Sequence, residues 1–197
     1  MGREHMQYVL LVVAGLLTAC SSPGTLSYSP PAHLVSGPAV IMAVEVLDKR
    51  DEKPNRIATI RGGYGNPLKV MDTTTPVADQ VRAVLIKALQ ARSMLSDSGP
   101  DRIQVTLYTL YADHYMGRKA ELLFDFVVSD RTGRSIYADR ITKKDYEFTF
   151  FDNGIFSSID TLGKTAEALL GRAVDEALDK PALRAALGAR AATVPGV

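Results

Sequence analysis

Alternation of apolar and polar residues dominates the middle of the chain. Residues 103–111 and 121–128 place an apolar side chain at every second position, which is typical of strands with one buried face. A turn of sequence DRTG follows at residues 130–133, and residues 135–151 are predicted to form a long third strand. Consecutive strands joined by short turns predict an antiparallel meander.

Two shorter strands are predicted before this meander. Residues 40–47 are apolar on both strand faces apart from Glu45, which predicts a central strand. Residues 56–61 are predicted to return as a second strand after a polar loop. A run with three glycines at positions 62–65, followed by Pro67, is then expected to interrupt regular structure.

Two amphipathic helices are predicted from apolar side chains at helical spacing. Thr75 is expected to cap the first helix with its hydroxyl, and Pro76 to take the first helical position. The second helix starts near Ser158 and is interrupted or kinked at Pro181, with a further turn to Leu187. The predicted buried stripes are Val77, Val81, Val84, Leu85, Ala88 and Leu89 in the first helix, and Leu162, Ala166, Leu169, Leu170, Ala173, Val174, Ala177 and Leu178 in the second.

The resulting element order is ββαβββα, which predicts an α+β domain. Its antiparallel sheet should carry the two amphipathic helices on one face. The chain has 197 residues, which suits a single hydrophobic core. Residues 38–187 are therefore expected to form one domain, and the alanine-rich residues 188–197 a frayed tail.

An unbroken apolar run occupies residues 8–17, near the N-terminus. A membrane-spanning helix needs about 20 apolar residues, so this run instead has the length of the apolar part of an export signal. Leu17-Thr18-Ala19-Cys20 resembles the lipobox of bacterial lipoproteins, in which the cysteine is acylated and becomes the new N-terminus. The alternative is an ordinary secretory signal that ends near Ala19. Because Cys20 is the only cysteine and follows the run closely, a signal peptide of residues 1–19 and lipid attachment at Cys20 are favoured.

The residues after the cysteine bear on location and reach. In enteric lipoproteins an aspartate at the next position retains the protein in the inner membrane, so Ser21 and Ser22 predict the outer membrane, with the domain in the periplasm. Acyl chains on Cys20 would hold the protein on the membrane permanently. Proline and serine are frequent up to residue 37 and no apolar period is visible, so residues 20–37 are predicted to be a flexible tether.

Charge and cysteine content exclude several classes of protein. The net charge is +1, and it stays +1 without residues 1–19 because Arg3 and Glu4 cancel. This balance gives no indication of a nucleic-acid partner. A single cysteine cannot form an internal disulfide, so the stability of the domain must come from packing.

Over about residues 38–187, the chain resembles the YajG-like family of bacterial lipoproteins. The resemblance implies an α+β fold and an outer-membrane location, and it supplies no catalytic residues. It rests on the lipobox, the strand around Val44, Ala91-Arg92, Gly99-Pro100, Leu110-Tyr111-Ala112-Asp113, Gly117 and the amphipathic C-terminal helix.

Two short motifs imitate catalytic or nucleotide-binding patterns. Gly163-Lys164-Thr165 matches the end of a phosphate-binding loop, but residue 158 is serine instead of glycine and the motif falls in a predicted helix. Asp113-His114 could belong to a catalytic triad, but the chain has no nucleophile elbow, so a solvated strand end is expected there.

Carboxylates and metal ligands give no stronger indication of chemistry. Glu121 and Asp125 should lie about 13 Å apart along one strand, beyond the usual spacing of glycosidase carboxylates, and are expected on an exposed sheet face. The sequence contains no cysteine–histidine or histidine–carboxylate cluster. We therefore expect no metal and no cofactor.

Aromatic residues are dense between positions 146 and 156. Tyr146, Phe148 and Phe150 share one strand face and are expected in the core beneath the helices. Phe151 and Phe156 flank a loop that contains glycine and are the candidate contact for a partner.

These observations predict a non-enzymatic, lipid-anchored lipoprotein of the cell envelope that binds or supports an envelope protein. One alternative is an auxiliary lipoprotein of an ABC-type transport or secretion system. An alternative from another class is an unrecognised periplasmic hydrolase, because dispersed residues can meet in a fold.

Overall fold

The structure is a computed structural model, and it describes residues 20–115, 117–147 and 158–192. Within these ranges it contains strands and helices in the order β1 to β4, α1, β5 to β7, α2 and α3. The strands are β1 (Cys20–Gly24), β2 (Ile41–Asp48), β3 (Arg56–Arg61), β4 (Pro67–Thr73), β5 (Asp101–His114), β6 (Arg118–Ser129) and β7 (Ser135–Glu147). The helices are α1 (Val77–Ala91), α2 (Ile159–Asp179) and α3 (Pro181–Ala191).

The strands form one mixed sheet in the order β1-β4-β3-β5-β6-β7, with β2 paired to the first half of β5. The meander β5-β6-β7 is antiparallel, as predicted. The prediction of a purely antiparallel sheet is wrong, because β5 runs parallel to β2 and β3, and β1 runs parallel to β4. Helix α1 lies in the connection from β2 and β3 to β5 and provides the long crossover that their parallel pairing requires. The parallel strands β1 and β4 are instead connected through β2 and β3.

Two strands, β1 and β4, were not expected from the sequence. Strand β4 follows a tight hairpin in which Gly65 has a φ of +78°, a conformation that glycine adopts without steric cost. Val70 and Met71 are adjacent in β4 and both buried, so the strand lacks the alternation that would reveal it. The predicted central strand β2 pairs only with β5 among the described residues.

The helices follow the predicted stripes. All fourteen stripe positions are buried, six in α1 and eight in α2. Thr75 does not cap α1: its hydroxyl instead accepts a hydrogen bond from the Gln80 side chain at 2.9 Å. Pro181 separates α2 from α3, so three helices form where two were predicted. Helix α3 extends into the predicted tail, and residues 193–197 lie outside the described residues.

The core lies between the helices and one face of the sheet. In β6 the buried side chains occupy alternate positions, which confirms the prediction for this strand. In β5 they alternate up to Leu107 and again from Leu110, but an irregularity between Leu107 and Thr109 shifts the phase by one residue. Thr109 and Tyr111, which were expected on the buried face, therefore lie off it. The opposite face, called the outer face below, is defined by Tyr108, Tyr111, Asp113, Glu121, Asp125 and Arg140.

The pairing register brings six strand ends to the same end of the sheet. Ile60 pairs with His114, His114 pairs with Arg118, and Arg118 pairs with Glu147. On the other side, β4 returns from the hairpin and β1 starts beside it. We call this the Cys20 end of the sheet; it contains Cys20, Arg61, Pro67, His114, Arg118 and Glu147.

Candidate functional site

The predicted lipid-attachment residue, Cys20, is the first residue of β1. Its backbone is in register with Lys69 of β4, and the pairing continues to Gly24 opposite Thr73. Cys20 therefore belongs to the edge of the folded sheet instead of the start of a tether.

The segment after β1 also lies on the domain. Leu26 is buried, and its backbone N–H donates to the Gln80 side-chain oxygen at 3.0 Å. Further along, the Gly37 N–H donates to the Arg92 carbonyl at 3.0 Å, and the Arg184 guanidinium donates to the Val35 carbonyl at 3.3 Å. The prediction of a flexible tether over residues 20–37 is corrected by these contacts. They join the segment to residues far away in the chain, so no local pattern in the segment indicates them.

Arg92 is the centre of the most extensive polar cluster that holds this segment. Its side chain is fully buried, and its five N–H groups all donate hydrogen bonds. The acceptors are Asp175 at 2.9 Å, Asp179 at 3.1 Å through two bonds, the Tyr28 hydroxyl at 2.8 Å and the Ala88 carbonyl at 3.2 Å. The Tyr28 hydroxyl in turn donates to Asp175 at 2.6 Å. The cluster joins the N-terminal segment to α1 and α2 in one network.

The charges in this cluster stabilise one another. Burial by itself would lower the pKa of Arg92, but the hydrogen bonds to Asp179, Tyr28 and Asp175 outweigh it, so the pKa is raised. Burial opposes ionisation of Asp179, but Arg92 and Arg184 hold the pKa of its carboxyl below the ordinary value. Burial and the bond to Asp175 raise the pKa of the Tyr28 hydroxyl. The network is thus complete only with charged Arg92, charged Asp179 and neutral Tyr28.

The outer face carries ion pairs in place of a second helical layer. Arg140 contacts Asp125 at 2.6 Å and lies over the Tyr108 ring, 5.5 Å from its centroid. The hydrogen bond from Arg140 holds the pKa of Asp125 below its ordinary value. Glu121 contacts Lys119 at 3.1 Å and Lys144 at 3.2 Å. Glu121 and Asp125 were expected on an exposed sheet face; both lie on the outer face but are only partly exposed, and both carboxylates are engaged in ion pairs.

Asp113 and His114 point to opposite faces of β5. Asp113 lies on the outer face, where it accepts from Arg61 at 2.6 Å and from the Tyr111 hydroxyl at 2.9 Å. His114 is buried, so the prediction of a solvated strand end is wrong for this residue. It occupies a core position of the alternation, and the structure does not bring it together with Asp113.

Gly163 of the P-loop-like motif belongs to helix α2, as the sequence predicted. A β-carbon at this position would come within 2.3 Å of the Met71 sulfur. The glycine thus permits close packing of α2 on β4, which is a structural reason for its presence.

Of the aromatic residues between positions 146 and 156, the structure describes Tyr146, and its position differs from the prediction. Tyr146 is 62% exposed and lies opposite Lys119. It was expected in the core, but in β7 the helix-facing positions are the odd ones, such as Ile141. Residues 148–157, which include the candidate contact residues Phe151 and Phe156, lie outside the described residues.

Two of the shallow clefts on the described part of the surface contain several charged side chains. One, of about 380 Å³, lies between the N-terminal segment and α2, where Ser27 bonds to Glu167. The other, of about 270 Å³, lies beside the start of β5 and the turn at residues 130–133. The charged and hydroxyl side chains that line the first cleft are Ser27, Ser29, Lys164, Glu167, Arg172 and Asp175.

Within residues 20–115, 117–147 and 158–192, no three metal-ligating side chains lie together. In the same part of the chain, no helix is both long enough and apolar enough to cross a membrane.

Comparison with known proteins places the fold more firmly than the family. No protein-family model and no curated protein matches the sequence. A DUF330 protein from Xanthomonas campestris has a TM-score of 0.59 at 12% identity, over 86% of this chain and 99% of that chain. This similarity shows a shared fold, while membership of the YajG-like family stays a prediction.

Two further structures are similar at lower scores. The PelC dodecamer from Paraburkholderia phytofirmans has a TM-score of 0.41 at 12% identity, over 75% of this chain and 91% of that chain. Lipoprotein GNA1162 from Neisseria meningitidis has a TM-score of 0.31 at 12% identity, over 68% of this chain and 97% of that chain.

Proposed function

We propose that the chain is a non-enzymatic, lipid-anchored domain of the bacterial cell envelope that binds or supports an envelope protein. The observation that carries the proposal is the position of Cys20. It is the only cysteine, it ends a lipobox-like sequence after an apolar run, and it starts the first strand of the folded domain. Two or three acyl chains on this residue hold the domain on the membrane without a spanning helix.

Labelling with a clickable fatty acid tests the anchor. The wild-type protein should carry the label and Cys20→Ala should carry none, because the diacylglyceryl group requires the thiol. Ser21→Ala is the matched control and should keep the label. Undiminished labelling of Cys20→Ala contradicts the proposed anchor.

Membrane fractionation tests the outer-membrane location. By the enteric sorting rule, Ser21→Asp should move the protein from the outer-membrane fraction to the inner-membrane fraction. Ser21→Asn keeps the size of the side chain without its charge and serves as the control. Wild-type protein found in the inner membrane contradicts this part of the proposal.

The non-enzymatic role is tested with ester, glycoside, peptide and phosphate substrates. We expect no turnover by the purified protein. Turnover that is lost on changing one side chain identifies a hydrolase and overturns the proposal. Site-directed photo-crosslinking in intact envelopes, from position 108 on the outer face and position 168 on α2, tests partner binding. A discrete product from one position and none from the other is expected.

A further inference from the structure

The Cys20 end of the sheet carries two turns beside the proposed anchor. The hairpin between β3 and β4 spans residues 62–66, and the turn between β5 and β6 begins at Tyr115. Both turns lie at the end where β1 starts, because Ile60 pairs with His114 and Cys20 pairs with Lys69.

Exposed tyrosines are concentrated at this end. Tyr64 at the hairpin tip is fully exposed, Tyr115 is 41% exposed and Tyr146, one residue before the end of β7, is 62% exposed. They are three of the six large hydrophobic side chains that are exposed among the described residues. The Tyr115 hydroxyl donates to the Gly63 carbonyl at 3.1 Å, which ties the two turns into one surface.

Resting on the proposed lipid attachment at Cys20, we infer that the Cys20 end lies on the bilayer surface, with Tyr64, Tyr115 and Tyr146 in the headgroup region. In an acylated chain the anchor is continuous with the fold, because Cys20 is itself the first residue of β1. Acyl chains in the bilayer therefore bring the sheet end itself to the interface. Tyrosine suits this environment, since its ring is apolar and its hydroxyl can remain hydrated.

The basic side chains at this end already interact with partners within the domain. Arg61 is paired with Asp113, and Lys119 and Lys144 are both paired with Glu121. Lys69 and Arg118, at the same end, also have interaction partners. Contact of the Cys20 end with the bilayer should therefore depend on the anchor and the tyrosines. We expect it to be similar on phosphatidylcholine vesicles with and without the anionic lipid phosphatidylglycerol.

The absence of tryptophan from the sequence allows a direct test. Tyr64→Trp introduces a single fluorescent reporter at a fully exposed position. Tyr108→Trp is the matched control, because Tyr108 precedes His114 by six residues and so lies about 20 Å from the Cys20 end. Each full-length lipidated variant is reconstituted into phosphatidylcholine vesicles that contain lipid brominated high on its acyl chains. Both variants are first compared with the wild type by thermal melting.

For Tyr64→Trp we expect emission at shorter wavelength and a loss of roughly half its intensity in brominated vesicles, as for a ring in the headgroup region. Tyr108→Trp should show neither change. If the protein floats with the vesicles but Tyr64→Trp is not quenched, the anchor stands and the inference is wrong; a protein partner at this end would give that result. If the N-terminal peptide carries no lipid by mass spectrometry, the proposed anchor fails and the inference fails with it.

Discussion

The N-terminal segment and the β5-β7 meander are both ordered, but they are held in different ways. The meander is paired along its whole length by backbone hydrogen bonds and buries every second side chain of β6 and, on either side of an irregularity after Leu107, of β5. After β1, the N-terminal segment is held by a small set of contacts, with Leu26 and Tyr28 as its buried side chains. Order in the meander is distributed over many residues, whereas order in the N-terminal segment depends on a few.

This difference determines what a single substitution can do. A change in the meander should affect the whole domain, because its side chains belong to the common core. A change in the Arg92 network should first release the N-terminal segment from the domain. Substitutions in the two regions should therefore differ in their effects when the unfolding free energy and the hydrogen exchange of each region are both measured.

The largest effect is expected from Phe124→Ala in the meander. Phe124 is buried in the core, and its truncation should cost about 3–5 kcal/mol of unfolding free energy. Denaturant unfolding is the measurement, and all regions should lose protection together. Thr142→Ala, exposed on the neighbouring strand, is the control and should leave the midpoint nearly unchanged. A small cost for Phe124→Ala would contradict the proposed core.

Arg92→Met should have the next largest effect, about 2–3 kcal/mol. It removes the guanidinium from two carboxylates and the Tyr28 hydroxyl, but Asp175 and Asp179 are partly exposed, so water can replace part of the loss. Hydrogen exchange of residues 20–37 should rise more than that of the meander. Arg172→Met, on the exposed side of α2, is the control. Equal changes in both regions would show that the segment is not separately held.

Tyr28→Phe should cost about 1 kcal/mol, because it removes one hydroxyl from the network and keeps the ring. The expected result is faster hydrogen exchange near residue 28 with little change in thermal midpoint. Tyr64→Phe removes a hydroxyl from a fully exposed ring and should change neither quantity. Unchanged exchange in Tyr28→Phe would show that the hydroxyl is not needed to hold the segment.

Acid should produce the smallest selective effect. The pKa of Asp179 is depressed in the folded state, so its contribution is present above the unfolded value of about 3.9 and is lost as the pH falls through the folded value. The Tyr28 ring signals in NMR spectra should then shift before the Phe124 ring signals do. Simultaneous changes in both rings would contradict a separate acid response of the network.

The sequence predicted those helices and strands in which apolar residues recur at a regular spacing. The stripes of α1 and α2 and the alternation of β6 are local patterns, and all of them were confirmed. The alternation of β5 was confirmed only up to Leu107, where an irregularity in the strand shifts its phase. Parallel pairing and strand β4 were not predicted, because the choice of a strand partner depends on residues far away in the chain.

The sequence contains one indication of the Arg92 network. Arg92 continues the buried stripe of α1, three residues after Leu89 and four after Ala88. A cation at such a position needs buried acceptors, and α2 offers Asp175 and Asp179 one helical turn apart. Tyr28 could not be inferred in the same way, since nothing near it in the sequence suggests a partner 64 residues away.

The free edge of strand β7 matters if Cys20 is acylated as proposed, because many molecules would then be confined to one membrane surface. Among the described residues it pairs only with β6, so its other edge offers backbone groups to a neighbouring molecule. Anchoring in two dimensions raises the frequency of encounters between such edges. Five of the seven residues from 139 to 145 are charged, and charged side chains on an edge strand oppose sheet extension. The domain can therefore be concentrated on a bilayer while its sheets remain separate.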